Sequence, residues 1–316
     1  MNKYLLLYFK GMAMGAADVV PGVSGGTIAF ISGIYGQLLD ALAKMPAGLL
    51  LLLKGRVREA WSLVHANFLL VLLAGIATSI LTLARLITWL LEHQAIPLWS
   101  FFFGLILVSC WLVGRTIRHW GPGSLVFFAL GVFCAWYITV AAPLSWGQDY
   151  LSLFFAGAIA ICAMILPGVS GSFLLLLMGL YQFVLDAVKG FELDVVAVFA
   201  LGCLFGLLGF ARLLKTALER FHDLTLALLT GFMLGSLNKV WPWKQTISFY
   251  ETSRGQQVPL QQDNLWPWQF TRLGEQDAQL ALALLLAVAG VALVLLLERL
   301  AHGKSRSGSK TPGKRA

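Results

Sequence analysis

The chain has 316 residues, of which 59% are hydrophobic and 12% charged, about half the roughly 25% charge typical of soluble globular domains. A soluble fold of this length cannot bury so much apolar surface, whereas roughly 20 apolar residues make one membrane span. A soluble enzyme, a nucleic-acid binder and a disordered chain are therefore excluded, and the sequence reads as an all-α polytopic integral membrane protein. The net charge of +8 is no nucleic-acid footprint: Lys304, Arg306, Lys310, Lys314 and Arg315 all lie in the last thirteen residues, a tail suited to a cytoplasmic face beside anionic headgroups.

In chain order, Lys3 and Lys10 interrupt a short apolar arm from Tyr4 to Ala17, with no convincing cleavage site, so it is read as mature sequence. Uncharged runs then cover 19–39, 68–84, 93–114, 124–148, 150–185, 195–211, 224–238 and 278–297. The run 150–185 is too long for one span and is broken at Pro167-Gly-Val-Ser-Gly171; the run 19–39 opens on the same five residues, Pro21 to Gly25. Proline removes a backbone donor and glycine unwinds a helix cheaply, so each segment is expected to form two short helices meeting at a break. Arms of about 14 to 17 residues fall short of a full span at 1.5 Å per residue, which favours a re-entrant hairpin with a shielded tip; two full spans joined by the break are the alternative.

The two segments belong to an internal repeat. Residues 21–41 and 167–187 share ten identities in 21 positions, including Gly33/Gly179, Tyr35/Tyr181 and Asp40-Ala41/Asp186-Ala187. With the offset shortened from 146 to 127 residues, Ala84-Arg85-Leu86 matches Ala211-Arg212-Leu213, Glu92 matches Glu219 and Gly104 matches Gly231. Three spans, about 64–92, 97–114 and 124–142, separate the hairpins, so the second is expected to dip in from the face opposite the first. Inverted repeats with broken helices meeting near the midplane are the architecture of secondary transporters. The expected organisation is one transmembrane domain over 1–302: a first repeat at about 1–120, a connecting helix at about 124–142, a second repeat at about 150–240, an external loop at about 241–277 and a final helix at about 278–300. The basic tail 303–316 is expected to be disordered. Lys and Arg bias places both termini in the cytoplasm, since segments 1–15, 43–62, 115–123, 219–224 and the tail hold 14 of the 23 basic residues. The long loop carries Trp241, Trp243, Trp266 and Trp268, residues suited to a membrane surface.

Exposed amides and hydroxyls at the two breaks suit an anion, phosphate above all. The candidate substrate-binding residues are Gly22, Ser24, Gly25, Gly26 and Thr27 in the first hairpin, with Gly168, Ser170, Gly171 and Ser172 in the second. Tight packing of a membrane turn is the competing explanation of the same residues. Arg85 and Arg212 join the candidates because an arginine within a span is costly unless paired or facing water, and its fork suits phosphate; snorkelling, or pairing with Glu92 or Glu219, is their bland alternative. Asp18, Asp40, Asp186 and Glu219 are candidates for proton or ion coupling. Asp18 is preferred among them although Met164 stands at its counterpart, while Asp40 and Asp186 read more simply as helix-end residues. Cys110, Cys134, Cys162 and Cys203 are scattered singly, and no metal-, cofactor- or nucleotide-binding signature is found.

With Ala17-Asp18-Val-Val-Pro21-Gly-Val-Ser-Gly-Gly-Thr27, Gly33-Ile-Tyr35, Leu166-Pro167-Gly-Val-Ser-Gly-Ser172 and Gly179-Leu-Tyr181 in view, the chain resembles the polyprenyl-phosphate (undecaprenyl phosphate) transporter family, formerly a domain of unknown function, over about residues 8 to 300. The resemblance implies a multi-pass protein of the bacterial cytoplasmic membrane. Its implied function is to return undecaprenyl phosphate, the lipid carrier of cell-wall sugars, from the outer to the inner leaflet. No catalysis, cofactor or nucleic acid is expected; the partners are the polyprenyl phosphate and membrane lipids, with oligomeric state open and a homodimer among the options. Two rivals stand. An undecaprenyl-pyrophosphate phosphatase would carry Pro-Gly-x-Ser-Arg-Ser, where this chain has Gly25-Gly26 and Gly171-Ser172, and would need glutamates upstream of the first hairpin, where no Glu precedes Glu59. A small-anion transporter would use the same tips.

Overall fold

The computed structural model describes residues 3–20, 23–141, 144, 146–251, 257–273 and 277–307. Helix α1 (Lys3–Val19) runs to the first break, after which α2 (Gly25–Ile31) and α3 (Tyr35–Leu53) follow. A short α4 (Val57–Leu63) leads into α5 (Ala66–His93), α6 (Ala95–Gly114) and α7 (Pro122–Val140). The second hairpin is α8 (Tyr150–Ile165), α9 (Gly171–Leu177) and α10 (Tyr181–Gly190), followed by α11 (Leu193–Arg220) and α12 (His222–Ser236). Strands β1 (Lys244–Glu251) and β2 (Gln257–Asn264), the short α13 (Pro267–Leu273) and α14 (Leu280–Ser307) complete the described chain.

Length and apolarity make α3, α5, α6, α7 and α11 candidate membrane spans. Both hairpins carry a second break that the sequence reading did not anticipate. The return arm after each Pro-Gly-Val-Ser-Gly is only seven residues long before the chain turns at Gly33 or Gly179, both at positive φ (73° and 70°). Matching backbone bonds close the two turns, Ile34 N–H to Ala29 O and Leu180 N–H to Leu175 O, each at 3.0 Å. Helices α9 and α10 consequently meet at 104°, the geometry of a broken span or a re-entrant element. Helix α3 also runs beyond the expected membrane boundary to Leu53; Lys44, four residues after Asp40, pairs with it at 2.6 Å, so the charges do not interrupt the helix. The expected loop 241–277 holds an antiparallel two-stranded sheet as its main element, and these are the only strands among the described residues.

Packing follows small residues. Helix α1 lies on α5, where Gly11 and Gly75 pass backbone to backbone, and α8 lies on α11 through Gly157 and Gly202. Helices α6 and α14 meet at Gly104 and Gly290, and α7 and α12 at Gly131 and Gly231. Without a hydrophobic drive inside lipid, such close approaches supply dispersion contact. Positions related by the repeat offsets thus occupy related helix pairs.

Candidate functional site

The two hairpin tips lie against each other. Ser24, 2% exposed, donates to the carbonyls of Met164 and Leu166 at the end of α8 (3.4 and 3.3 Å). The hydroxyl of fully buried Thr27 accepts from Gly168 N–H at 2.9 Å, and Tyr35 donates to Ile165 O at 3.0 Å. Gly26 faces the Ile165 carbonyl so closely that a side chain would not fit. The first tip is satisfied within itself as well: Asp18 accepts from Gly25 N–H at 2.6 Å, and Ser24 Oγ accepts from Gly26 N–H at 3.1 Å. Pro21 and Gly22, the latter a candidate ligand, lie outside the described residues.

The second tip differs in the way the Asp18/Met164 substitution dictates, because no carboxylate folds back onto it. Ser170 accepts from Phe173 N–H at 3.4 Å and shares a 3.0 Å hydrogen bond with Ser172, while among the described residues the amides of Gly171 and Ser172 have no hydrogen-bond partner. Gly168 holds φ +87° with the α12 backbone at Phe232 and Met233 pressed against it, so only glycine fits there. Thr139 of α7 and Lys239, just beyond α12, complete the cleft over Gly168, Val169 and Ser170.

Lys239 is the residue that sequence reasoning missed. Its ammonium sits 4.2 Å from the centroid of the Phe173 ring and, among the described residues, has no carboxylate partner. Burial pulls its pKa down to about 8. The segment that follows α12 holds it in place. Lys244 of β1 donates to the Lys239 carbonyl at 2.5 Å while its own Nζ rests 3.7 Å from the Trp99 ring centroid. Burial, helped by the neighbouring Lys239 charge, lowers the Lys244 ammonium far from its ordinary value. Asn264 at the end of β2 donates to Asn238 O at 2.8 Å, and Asn238 in turn donates to Thr139 at 2.6 Å. One cation, Lys239, thus lies beside a tip that offers free donors and, among the described residues, no acid, a chemistry suited to an anion. As it stands the cleft encloses about 10 Å³, room for less than one water; this state is closed there.

The other candidates lie away from this cleft. Arg212 donates to Ala43 O of α3 at 3.1 Å, and Arg85 is exposed on α5 with no hydrogen bond or ion pair among the described residues. Asp40 is the hub of a network with Lys44 and Lys215 (2.6 Å each) and His65 (3.2 Å), and Glu219 joins it through Lys215 at 3.8 Å. Asp186 receives Gln182 and Lys189.

Comparison with known proteins gives a consistent result. The profile of a family described as VCA0040-like, undecaprenyl phosphate translocase-like, matches residues 14–258. A polyprenyl-phosphate transporter of Vibrio cholerae is 52% identical over 300 residues, 95% of this chain and 97% of its own. A protein of the same name from Staphylococcus aureus is 30% identical over 256 residues, 74% of this chain and 84% of its own. No solved structure matches.

Proposed function

The chain belongs to the undecaprenyl phosphate translocase-like family, and on that premise we propose that it moves a polyprenyl monophosphate from the outer to the inner leaflet of the bacterial cytoplasmic membrane, both termini lying in the cytoplasm. The carrying observation is Lys239, a cation with no carboxylate partner among the described residues, lodged over Phe173 beside Ser170 at the tip of the second hairpin. A lipid phosphate must take its charged head through hydrocarbon while its tail remains in lipid, and each unsatisfied polar group there costs several kcal/mol. Hydroxyls, amides and an ammonium at the tip replace the water that the head loses.

The reading takes the halves as inverted repeats, a view supported by matched packing: α1 with α5 as α8 with α11, and α6 with α14 as α12 with α7. Opening the site requires the tips to part. That breaks the bonds of Ser24, Thr27 and Tyr35 to the second hairpin, at about 1 kcal/mol net each, which is affordable for a reversible step. Asp18, which fills the first tip, is the group we assign to proton coupling: protonated, it loses the charge that strengthens its bond to Gly25 N–H and holds that amide only through a neutral oxygen. The candidate ligands Ser24, Gly25, Gly26 and Thr27, together with Gly22, would contact the head only after that separation. Arg85 and Arg212 would then act at the two ends of the path. Hydrolysis is the weaker reading, because the groups lining the cleft around Ser170 include Thr139, Phe173 and Lys239 but no arginine to clamp a phosphate.

The test is reconstitution of the purified chain in liposomes carrying labelled polyprenyl monophosphate or pyrophosphate. Loss of monophosphate from the outer leaflet without phosphate release supports translocation. Released phosphate would establish the enzyme, and movement of neither lipid would refute the reading.

A further inference from the structure

A cavity of about 530 Å³ opens at the opposite end of the first hairpin from its tip, between the start of α1, the turn into α3, α4 and the start of α5. Its walls combine apolar side chains, among them Leu7, Ile34 and Phe68, with a set of polar and cationic groups. Lys3 and Lys10 come from α1, His65 from the turn before α5, and Ser62 and Asn67 supply further polar groups. Lys10 spends one donor on Ser32 O at 2.5 Å and retains two. His65 touches Asp40 at 3.2 Å, but Asp40 is already held by Lys44 and Lys215. Among the described residues no acid lines the cavity, and Glu59 of α4 is paired with Arg56. The rim is therefore net positive.

A second, wholly different groove adjoins it. About 290 Å³ in volume, this groove is walled by aliphatic side chains, among them Met45, Leu49 and Leu52 of α3 and Leu204 and Leu208 of α11. Trp61 and Ala66 line both spaces, so the basic cavity and the apolar groove share a wall. Trp61 is held at this divide by its Nε1 donating to Asn67 Oδ1 at 3.1 Å. A cationic chamber joined to a single apolar slot is complementary to an amphiphile with an anionic head and one chain. A two-chained phosphodiester matches it poorly on both counts. At roughly 30 Å³ per heavy atom, the share of one liquid water, the groove takes about ten carbons, or two isoprene units.

We infer that this pair of cavities is a second binding site for a single-chain polyprenyl monophosphate, with the phosphate among Lys3, Lys10 and His65 and the first isoprene units between α3, α4 and α11. The inference rests on the transport reading and extends it: the lipid is held here on the side that carries the N-terminus, while the second-hairpin cleft is shut. Delivery is then a transfer between two built sites, not a release into bulk lipid.

Photolabelling tests it. The full chain in nanodiscs is irradiated with a polyprenyl monophosphate bearing a diazirine on an isoprene unit near the head, and adducts are mapped by peptide mass spectrometry. We expect adducts within residues 45–66 and 204–208 that excess unlabelled polyprenyl monophosphate removes and that phosphatidylglycerol or inorganic phosphate leaves in place. The double variant Lys3→Gln/Lys10→Gln should cut these adducts at least tenfold while labelling at the second hairpin persists. Should the loss of the Ser32 contact unfold that variant, Leu204→Trp fills the groove from α11 without touching a cation and should remove the same adducts. Competition by phosphatidylglycerol would reduce the groove to an ordinary lipid contact, and competition by inorganic phosphate would make the cavity a free-anion site; either result overturns the inference. So would adducts confined to the second hairpin, though transport would survive that result. Absence of displaceable adducts anywhere would refute both.

Discussion

Replacing Lys239 by methionine removes the ammonium and keeps an unbranched stem over Phe173. Burial lowers the pKa of this group from 10.5 to about 8, and each unit is worth about 1.36 kcal/mol. Holding the charge in the folded protein at pH 7 therefore costs on the order of 3 kcal/mol, offset by about 1 kcal/mol from the aromatic face beneath it. Because the folded pKa is depressed for a base, the penalty is fully present below pH 8, shrinks as pH rises through 8, and is gone above 10.5. Lys239→Met should accordingly be more stable than the parent by about 2 kcal/mol at pH 7, a rise of several degrees in Tm, and the difference should vanish near pH 11. Translocation of polyprenyl monophosphate should fall at least tenfold in the same variant. Stability gained with activity lost is what removal of a strained functional group produces. Thermal unfolding in nanodiscs across pH, run beside the liposome assay, decides the matter: a variant less stable at pH 7 that transports at the parental rate would refute the assignment.

Other expectations follow from the same geometry. Capture of lipid from the outer face should weaken as external pH rises through about 8, since Lys239 then loses its charge, and Lys239→Met should flatten that profile. Gly168→Ala should abolish transport and lower Tm, because φ +87° is unfavourable for alanine by about 1–2 kcal/mol and the new methyl meets the Phe232 carbonyl. Asp18→Ala leaves the Gly25 amide without its acceptor and should cost about 1–3 kcal/mol of stability. Asp18→Asn keeps an acceptor and should unfold near the parental temperature, yet lose any response of transport to an imposed pH gradient; an unchanged response would remove Asp18 from coupling. Arg85→Ala should insert and fold normally but transport more slowly, and parental rates would show that Arg85 only meets headgroups.

The membrane spans and both helix breaks could be read from the chain, because runs of apolar residues and paired Pro-Gly elements carry strong local signals. The repeat led to the tips and to the turns at Gly33 and Gly179 as identities, but the reason for those glycines, a left-handed turn that ends a seven-residue arm, emerges only from the backbone. Lys239 was invisible for the opposite reason. Under the 127-residue offset its counterpart is Leu112, so a reading that weighted symmetric positions passed over it. The Asp18/Met164 mismatch, read as a failure of symmetry, was the signal that could have found the site: one tip supplies its own anion and the other is left wanting one. The basic cavity escaped notice because His65 is far in sequence from Lys3 and Lys10, and each is individually unremarkable. The β-hairpin was equally hidden, since its polar strands resemble any long external loop until their pairing brings Asn264 to Asn238.

The glycine contacts between α6 and α14 bear on how the protein is made. Gly104 packs on Ala287 and Gly290 on Phe101, so α6 finds its main partner in α14, far along the chain. Until α14 inserts, α6 presents a notched, small-residue face to lipid, and the nascent bundle stays open on that side. Premature stops before about residue 280 should thus yield a product with most of its spans in the bilayer that quality-control proteases nonetheless remove.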